Sequence, residues 1–386
     1  MCFNQTEKHL HAPVPHPTSL APKPHYPILD GLRGVAALMV VAFHIFESHA
    51  ANRFEQVINH GYLAVDFFFV LSGFVIGYAY DDRWSNMTIS GFFKTRLIRL
   101  QPMVVMGMIV GAALFYFQDS ATVAPGISEV PPWQMIAIML LGFAMIPVPP
   151  SMDIRGWVEM YPLNGPGWSL FFEYIANILY GLFVKSFSNK LLSVLVFLSG
   201  CFLIHLAITK GDVIGGWSLT AAQLHVGFAR VLFPFFAGLL VYRMAKLTYI
   251  KNAFWLCSLL IVLVLSIPRI GGSEQLWMNG IYESIVIVFI FPLIVWMGAS
   301  GEVNGNSAKV CKFLGDISYP IYITHYPLIY AYMGWAYDNK VSIGDAGAFP
   351  YLVFFGSIAL AYACLKLYDE PVRNWLRKKI VNSTNK

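Results

Sequence analysis

The chain has 386 residues, of which 57% are hydrophobic and only 12% charged, and its mean hydropathy is +0.60. An ordinary soluble domain carries about 25% charge, so composition excludes a soluble fold of this length, while the 16% aromatic content excludes a disordered chain. The net charge of +5, from 26 basic and 21 acidic residues, reads as charge in the loops of a membrane protein, not as a nucleic-acid surface.

Residues 1–27 read as a disordered cytoplasmic tail. They hold His9, His11, His16 and His25 among prolines at 13, 15, 17, 22, 24 and 27, a density that prevents a helix. The histidine spacing matches no metal motif, and no metal is expected. Apolar runs follow near 34–50, 61–80, 100–117, 133–147, 168–184, 191–208, 227–244, 252–267, 281–298, 314–334 and 349–367. They are unbroken and do not alternate, which favours helices over a membrane barrel. A spanning helix needs about 20 residues. The run at 133–147 is short and lies between Pro131–Pro132 and Pro147, Pro149 and Pro150, as a re-entrant or interfacial helix would.

If the N-terminus is cytoplasmic and 133–147 does not span, the outer side holds only Arg53, Arg155, Lys210, Arg269 and Lys340. Arg230 lies within a helix, and the remaining basic residues fall inside. The expected fold is therefore all-α: a polytopic transmembrane helical bundle of about ten spanning helices plus the re-entrant or interfacial helix. It is a multi-pass protein of the cell (inner or plasma) membrane with both termini cytoplasmic. The membrane domain covers 28–370, and 371–386 form a cytoplasmic basic tail. The scattered cysteines, Cys2, Cys201, Cys257, Cys311 and Cys364, form no CxxC pair.

Polar groups inside spans are expensive, so each is a functional candidate. Arg33 and His44 in the first span are eleven residues apart, about 1100° of helix turn, and share one face with about 16 Å of rise between them. Asp30 lies one turn before Arg33. His44 is placed near mid-membrane, where an imidazole can act as general base, although a buried histidine paired with a neighbouring helix fits the position equally. The second span carries Asp66, costly without a partner, then Ser72 and Gly73, which permit close helix contact. Arg96 and Arg99 lie at the cytoplasmic face, as phosphate ligands or as topology-setting charges. Trp168 and Glu173 open the fifth span, with Glu173 expected in the outer leaflet. His325 of the tenth is near midplane. Glu283 and Arg230 are further intramembrane ions that could pair with each other or line a polar cavity.

Taken in order, these segments resemble the membrane acyltransferase-3 family over about residues 28–370. Leu29-Asp30-Gly31-Leu32-Arg33-Gly34 leading to His44 is similar to the family's Arg/Lys-x10-His opening. Asp66 through Gly73 resembles its second signature, Arg96-Leu97-Ile98-Arg99 its RxxR, Trp168-Ser169-Leu170 with Glu173 its WSL…E segment, and Ile317-Ser318-Tyr319 to His325-Tyr326-Pro327 its ISYxxYxxHxP element. The chain departs from the family at Phe171-Phe172-Glu173-Tyr174, where Ser-Val-Glu-Glu is frequent, and at Thr324, where tryptophan is common.

The resemblance implies transfer of an acyl group, usually acetyl from acetyl-CoA, to a hydroxyl of an extracytoplasmic carbohydrate or lipid-linked glycan. It makes Arg33 and His44 essential. In the expected mechanism Arg33, Arg96 and Arg99, with Asp30, hold the donor. His44 is base or transient acyl carrier, and Glu173 and Asp66 orient the acceptor hydroxyl or His44. His325, Ser72 and Trp168 are secondary candidates. Membrane lipids are expected partners. The rival readings are a transporter or flippase of a glycan-type substrate, whose inverted repeats are not detected, and a non-catalytic sensor or scaffold.

Overall fold

The computed structural model describes residues 23, 25–85 and 87–384. Of the tail expected over 1–27, residues 1–22 and 24, with His9, His11 and His16, lie outside the described residues. The helices are, in order, α1 (Pro27–Glu47), α2 (Ala64–Tyr80), α3 (Ile89–Leu114), α4 (Pro132–Phe143), α5 (Gly167–Phe183), α6 (Asn189–Lys210), α7 (Ala221–Met244), α8 (Ala253–Ser266), α9 (Leu276–Ile285), α10 (Phe291–Ala299), α11 (Gly305–Thr324), α12 (Tyr326–Asp338), α13 (Phe349–Cys364) and α14 (Glu370–Thr384). A π-turn at Val286–Ile290 joins α9 to α10, and another at Leu365–Asp369 joins α13 to α14. Among the described residues there is no β-strand, only one isolated bridge between Ser120 and Ala124.

Local chemistry explains several boundaries. Pro27 opens α1, where its missing N–H costs nothing. The side chains of Thr88 and Ser188 cap α3 and α6 by accepting from the Gly91 and Leu191 amides. Gly211 ends α6 with φ 85°, a conformation in which a side chain would be strained.

Among the described residues, seven helical segments are long and apolar enough to cross a membrane: Pro27–Glu47, Gly61–Arg83, Ile89–Gln118, Asn189–Lys210, Ala221–Met244, Leu276–Ala299 and Phe349–Lys379. α4 and α8 are apolar but shorter. At 12 residues α4 rises only about 18 Å and falls short of a bilayer core. The run expected as one span over 314–334 is divided into α11 and α12 at His325. Pro327 has no N–H to continue the ladder, and Leu328 and Ile329 donate instead to the His325 carbonyl.

α2 and α7 form the centre, each with 67% of its apolar window buried, whereas α6 and α13 lie at the periphery with 28% and 22%. The peripheral helices turn Phe197, Phe355 and Leu352 outward, as lipid-facing helices do. Small residues set the closest approaches. A Cβ on Gly73 would collide with the backbone carbonyl of Phe235, one on Gly238 with that of Val70, and one on Gly34 with that of Leu314. α1 therefore packs against α11, and α2 against α7, at backbone distance.

Gly73→Val and Gly238→Val should each force α2 and α7 apart. Detergent-solubilised protein should lose its monodisperse gel-filtration peak, or melt at least several degrees lower, in both variants. Gly356→Ala, at a site with open space around it, should leave both readouts unchanged.

Candidate functional site

Two cavities lie end to end along the bundle. The larger, of about 710 Å³, is lined by Asp30, Arg33, Arg96, Arg99, Ser72 and Glu173, with further charged residues from α11 and α14. The smaller, of about 420 Å³, is lined by His44, Glu47, Trp157, Glu159, Trp168 and Trp217, with Tyr62 and Tyr326. Val65 and Tyr322 line both and form the partition between them.

Four helices cross that partition. α1 carries Arg33 into the basic cavity and Val40 and His44 into the aromatic one. The turn before α2 carries Tyr62 on the aromatic side, and α2 carries Val65 at the partition and Phe68 and Ser72 beyond it. α5 turns Trp168 into the aromatic cavity and Ser169 and Glu173 into the basic one, and α11 runs from Gly315 and Tyr319 to Tyr322. At the partition Tyr322 is hydrogen-bonded to Ser169 at 2.7 Å, and its ring packs edge-on against Phe68.

In the basic cavity Arg33 donates to Asp30 at 2.8 Å, and Arg96 donates to Glu173 at 2.8 Å. Glu173 also accepts from Ser72 at 2.9 Å. Arg96 is nearly fully buried, so this carboxylate supplies the countercharge its position demands. Outside the spans, His25 sits 2.9 Å from Asp30. The Asp30 carboxylate raises the His25 pKa, against the opposing effect of burial.

In the aromatic cavity His44 Nδ1 lies 2.7 Å from Glu47 Oε2. A carboxylate only accepts, so this contact selects the tautomer with the proton on Nδ1 and leaves Nε2 as the free base. The ring touches Tyr326 edge-on and stacks on His325 at 5.7 Å. His325 donates from Nδ1 to its own helix, 2.9 Å from the Ile321 carbonyl, and lines neither cavity. Glu159 accepts from Tyr330 at 2.6 Å, and Arg155 stacks on the Tyr330 ring at 3.6 Å.

Asp66 lines neither cavity. Both its oxygens accept from Arg230, at 3.2 and 2.6 Å, and both residues are buried. Arg230 also donates to the Tyr62 carbonyl at 2.8 Å and lies 5.0 Å from the Trp168 ring, which fixes one wall of the aromatic cavity.

The four residues expected at the donor, Asp30, Arg33, Arg96 and Arg99, do line one cavity. Glu173 does not accompany His44: it lies past the partition, on the basic side, because α5 has already turned more than once after Trp168. Arg230 pairs with Asp66 and not with Glu283, and it lines the aromatic cavity, the other arrangement expected of it. Glu283 instead bonds Tyr62, Asn279 and the Val213 amide. His44, expected near midplane, sits in the last turn of α1, since that helix starts at Pro27 and stops at Glu47. Glu47 was not among the candidates. Its spacing of three residues from His44 is the signal that could have found it.

Residues 26–367 match a family model described as an acyltransferase domain. A Rhizobium radiobacter protein named protein 2 in the picA locus is 35% identical over 168 residues, 42% of this chain and 84% of that protein. The acyltransferase MdmB of Streptomyces mycarofaciens is 29% identical over 166 residues, 41% of this chain and 39% of that one. A Staphylococcus aureus protein provisionally named an O-acetyltransferase is 36% identical over 94 residues, 23% of this chain and 14% of its own length. The chain thus spans less than half of these last two relatives. No solved structure matches.

Glu159 lies in the segment between α4 and α5, outside the spanning helices. Burial raises its pKa from the usual 4.5 to about 7, against the opposing pull of Arg155 and Tyr330. The folded state thus prefers the protonated acid. Its stabilisation is fully present below pH 4.5 and is lost as the pH rises through 7. Thermal melts between these limits should fall with pH in the wild type, and Glu159→Gln should flatten that part of the profile. An unchanged slope would contradict the assignment.

Proposed function

This chain belongs to the acyltransferase-3 family, and from that premise we propose that it moves an acyl group, acetyl by default, from cytoplasmic acyl-CoA to a hydroxyl of an extracytoplasmic carbohydrate or glycolipid. One observation carries the reading: a cavity rich in arginine and a cavity rich in tryptophan end on the same two side chains, Val65 and Tyr322. Arginine forks grip phosphate, and flat aromatic faces suit sugar rings. In this reading the basic cavity opens to the cytoplasm, in keeping with the sidedness of the basic residues along the chain, and about ten segments cross the membrane.

The acyl-CoA enters with its thioester leading towards Tyr322 and its phosphates held back among Arg33, Arg96 and Arg99. Asp30 and Glu173 fix the first two of these side chains. The acceptor lies against Trp157, Trp168 and Trp217 with one hydroxyl at His44. His44 Nε2 takes the hydroxyl proton as the oxygen attacks the thioester carbonyl. The carbon–sulfur bond breaks, and the thiolate takes the proton back from the imidazolium, so that ester and free CoA leave in opposite directions. Glu47 acts through His44, as a positioning residue that fixes the tautomer and stabilises the transient cation. Asp66 acts at one remove, by holding Arg230 behind Trp168.

Purified protein should release CoA from acetyl-CoA when a panel of hexopyranosides is added. His44→Ala should lower that rate by about 10²–10⁴-fold, the span of general-base contributions. Glu47→Gln should lower kcat by about tenfold or more while KM for acetyl-CoA stays unchanged. Wild-type rates in the His44→Ala protein would sink the mechanism. A transporter or scaffold would release no CoA at all.

A further inference from the structure

The family match ends at residue 367, and α14 begins at Glu370. Read as sequence, 371–386 is a basic tail. In the structure it opens as a helix that continues α13 through the π-turn at Leu365–Asp369 and packs against α3, the helix of Arg96 and Arg99. Asp369, Arg373 and Arg377 recur every four residues, so they share one face. All three line the basic cavity.

The other cations of this cavity sort by partner. Arg33, Arg96, Lys312 and Arg373 each hold a carboxylate, at 2.8, 2.8, 2.8 and 2.7 Å. Arg99 and Arg377 line the cavity with no ion-pair partner among the described residues. Arg373 Nε and Asp369 Oδ1 are buried without a hydrogen-bond partner. Guanidinium groups that line a cavity without a carboxylate partner are a binding surface for an anion. There is also a gradient of exposure, from buried Arg96 to exposed Arg377 and Lys312, which sets the α14 end at the mouth.

We propose that α14 is part of the donor site: Arg377, with the free edge of Arg373, receives the phosphates at the nucleotide end of the acyl-CoA. This rests on the reading of the donor as acyl-CoA. The donor's charged end must stay near water while its uncharged pantetheine arm enters among the apolar helices. Arg33 and Arg96 already hold carboxylates. Several phosphate charges on the donor therefore call for the cations that lack one, and Arg377 supplies such a cation from outside the family-matched segment.

The test is equilibrium binding of CoA and of S-acetylpantetheine to purified full-length protein in nanodiscs, made once with neutral and once with anionic lipid. The double variant Arg373→Gln/Arg377→Gln should weaken CoA binding about tenfold or more, as loss of one charge-assisted contact would. Binding of S-acetylpantetheine, which lacks the nucleotide, should stay within about twofold. Lys378→Gln/Lys379→Gln, which removes the same charge from the same helix but not from the cavity lining, should bind CoA as the wild type does. Equal losses in both double variants, or an effect confined to anionic lipid, would overturn the proposal. So would undiminished CoA binding by the Arg373→Gln/Arg377→Gln protein. Failure of the wild type itself to bind CoA would be a different result, one that overturns the donor reading as well.

Discussion

An ion among apolar helices persists only with a partner, and that constraint organises this molecule. An unpaired carboxylate or guanidinium inside a bundle costs several kcal/mol. Asp66 and Arg230 answer each other completely, one guanidinium bridging both oxygens of one carboxylate with neither residue exposed. Arg96 and Glu173 pair more loosely between α3 and α5, through one hydrogen bond to one oxygen of a half-buried carboxylate. Each pair ties together helices far apart in sequence, so the pairs fix which helix faces which. The backbone contacts at Gly34, Gly73 and Gly238 then fix how closely they approach. Against that background Arg99 and Arg377 stand out as exposed cations that line the basic cavity without an ion-pair partner among the described residues.

The same constraint explains why there are two cavities and not one channel. Apolar and hydroxyl side chains, Val65, Phe68, Ser169 and Tyr322, meet between a charged compartment and an aromatic one. A bundle arranged this way keeps water and ions on either side apart, yet leaves only a side-chain thickness between them. α1 makes the connection in one element. Its eleven-residue interval puts Arg33 and His44 on the same face, one in each compartment. A group held at one end and a base at the other then face the partition from opposite directions.

Much of this is legible in the residues. Helical periodicity and the run lengths specify an all-helical chain, and the prolines around 133–147 mark a helix too short to span. The spacing of Asp30, Arg33 and His44 is a property of one helix, so it reads correctly without tertiary knowledge. What does not read is pairing between helices. The partner of Arg230 depends on which of α2 and α9 approaches α7 at that level, and no local pattern encodes it. Which cavity Glu173 enters is hidden for a similar reason: counting residues from a helix end says nothing of where neighbouring helices put the partition. Arg373 and Arg377 look like a solvated tail because they lie past the last long apolar run, and the short apolar set of Val372, Trp375, Leu376 and Ile380 does not say what the helix docks against. The π-turn that rephases it is a feature of backbone packing, not of composition.

The central claim is that the two cavities open to opposite faces of the membrane, and sided chemical labelling tests it most directly. In a chain whose own cysteines have been replaced, Lys312→Cys marks the mouth of the basic cavity, and Val158→Cys marks the exposed rim beside Glu159. A membrane-impermeant thiol reagent applied to intact cells should label the second and not the first. Applied to inverted vesicles, it should label the first and not the second. Labelling of both positions from the same face would contradict the account.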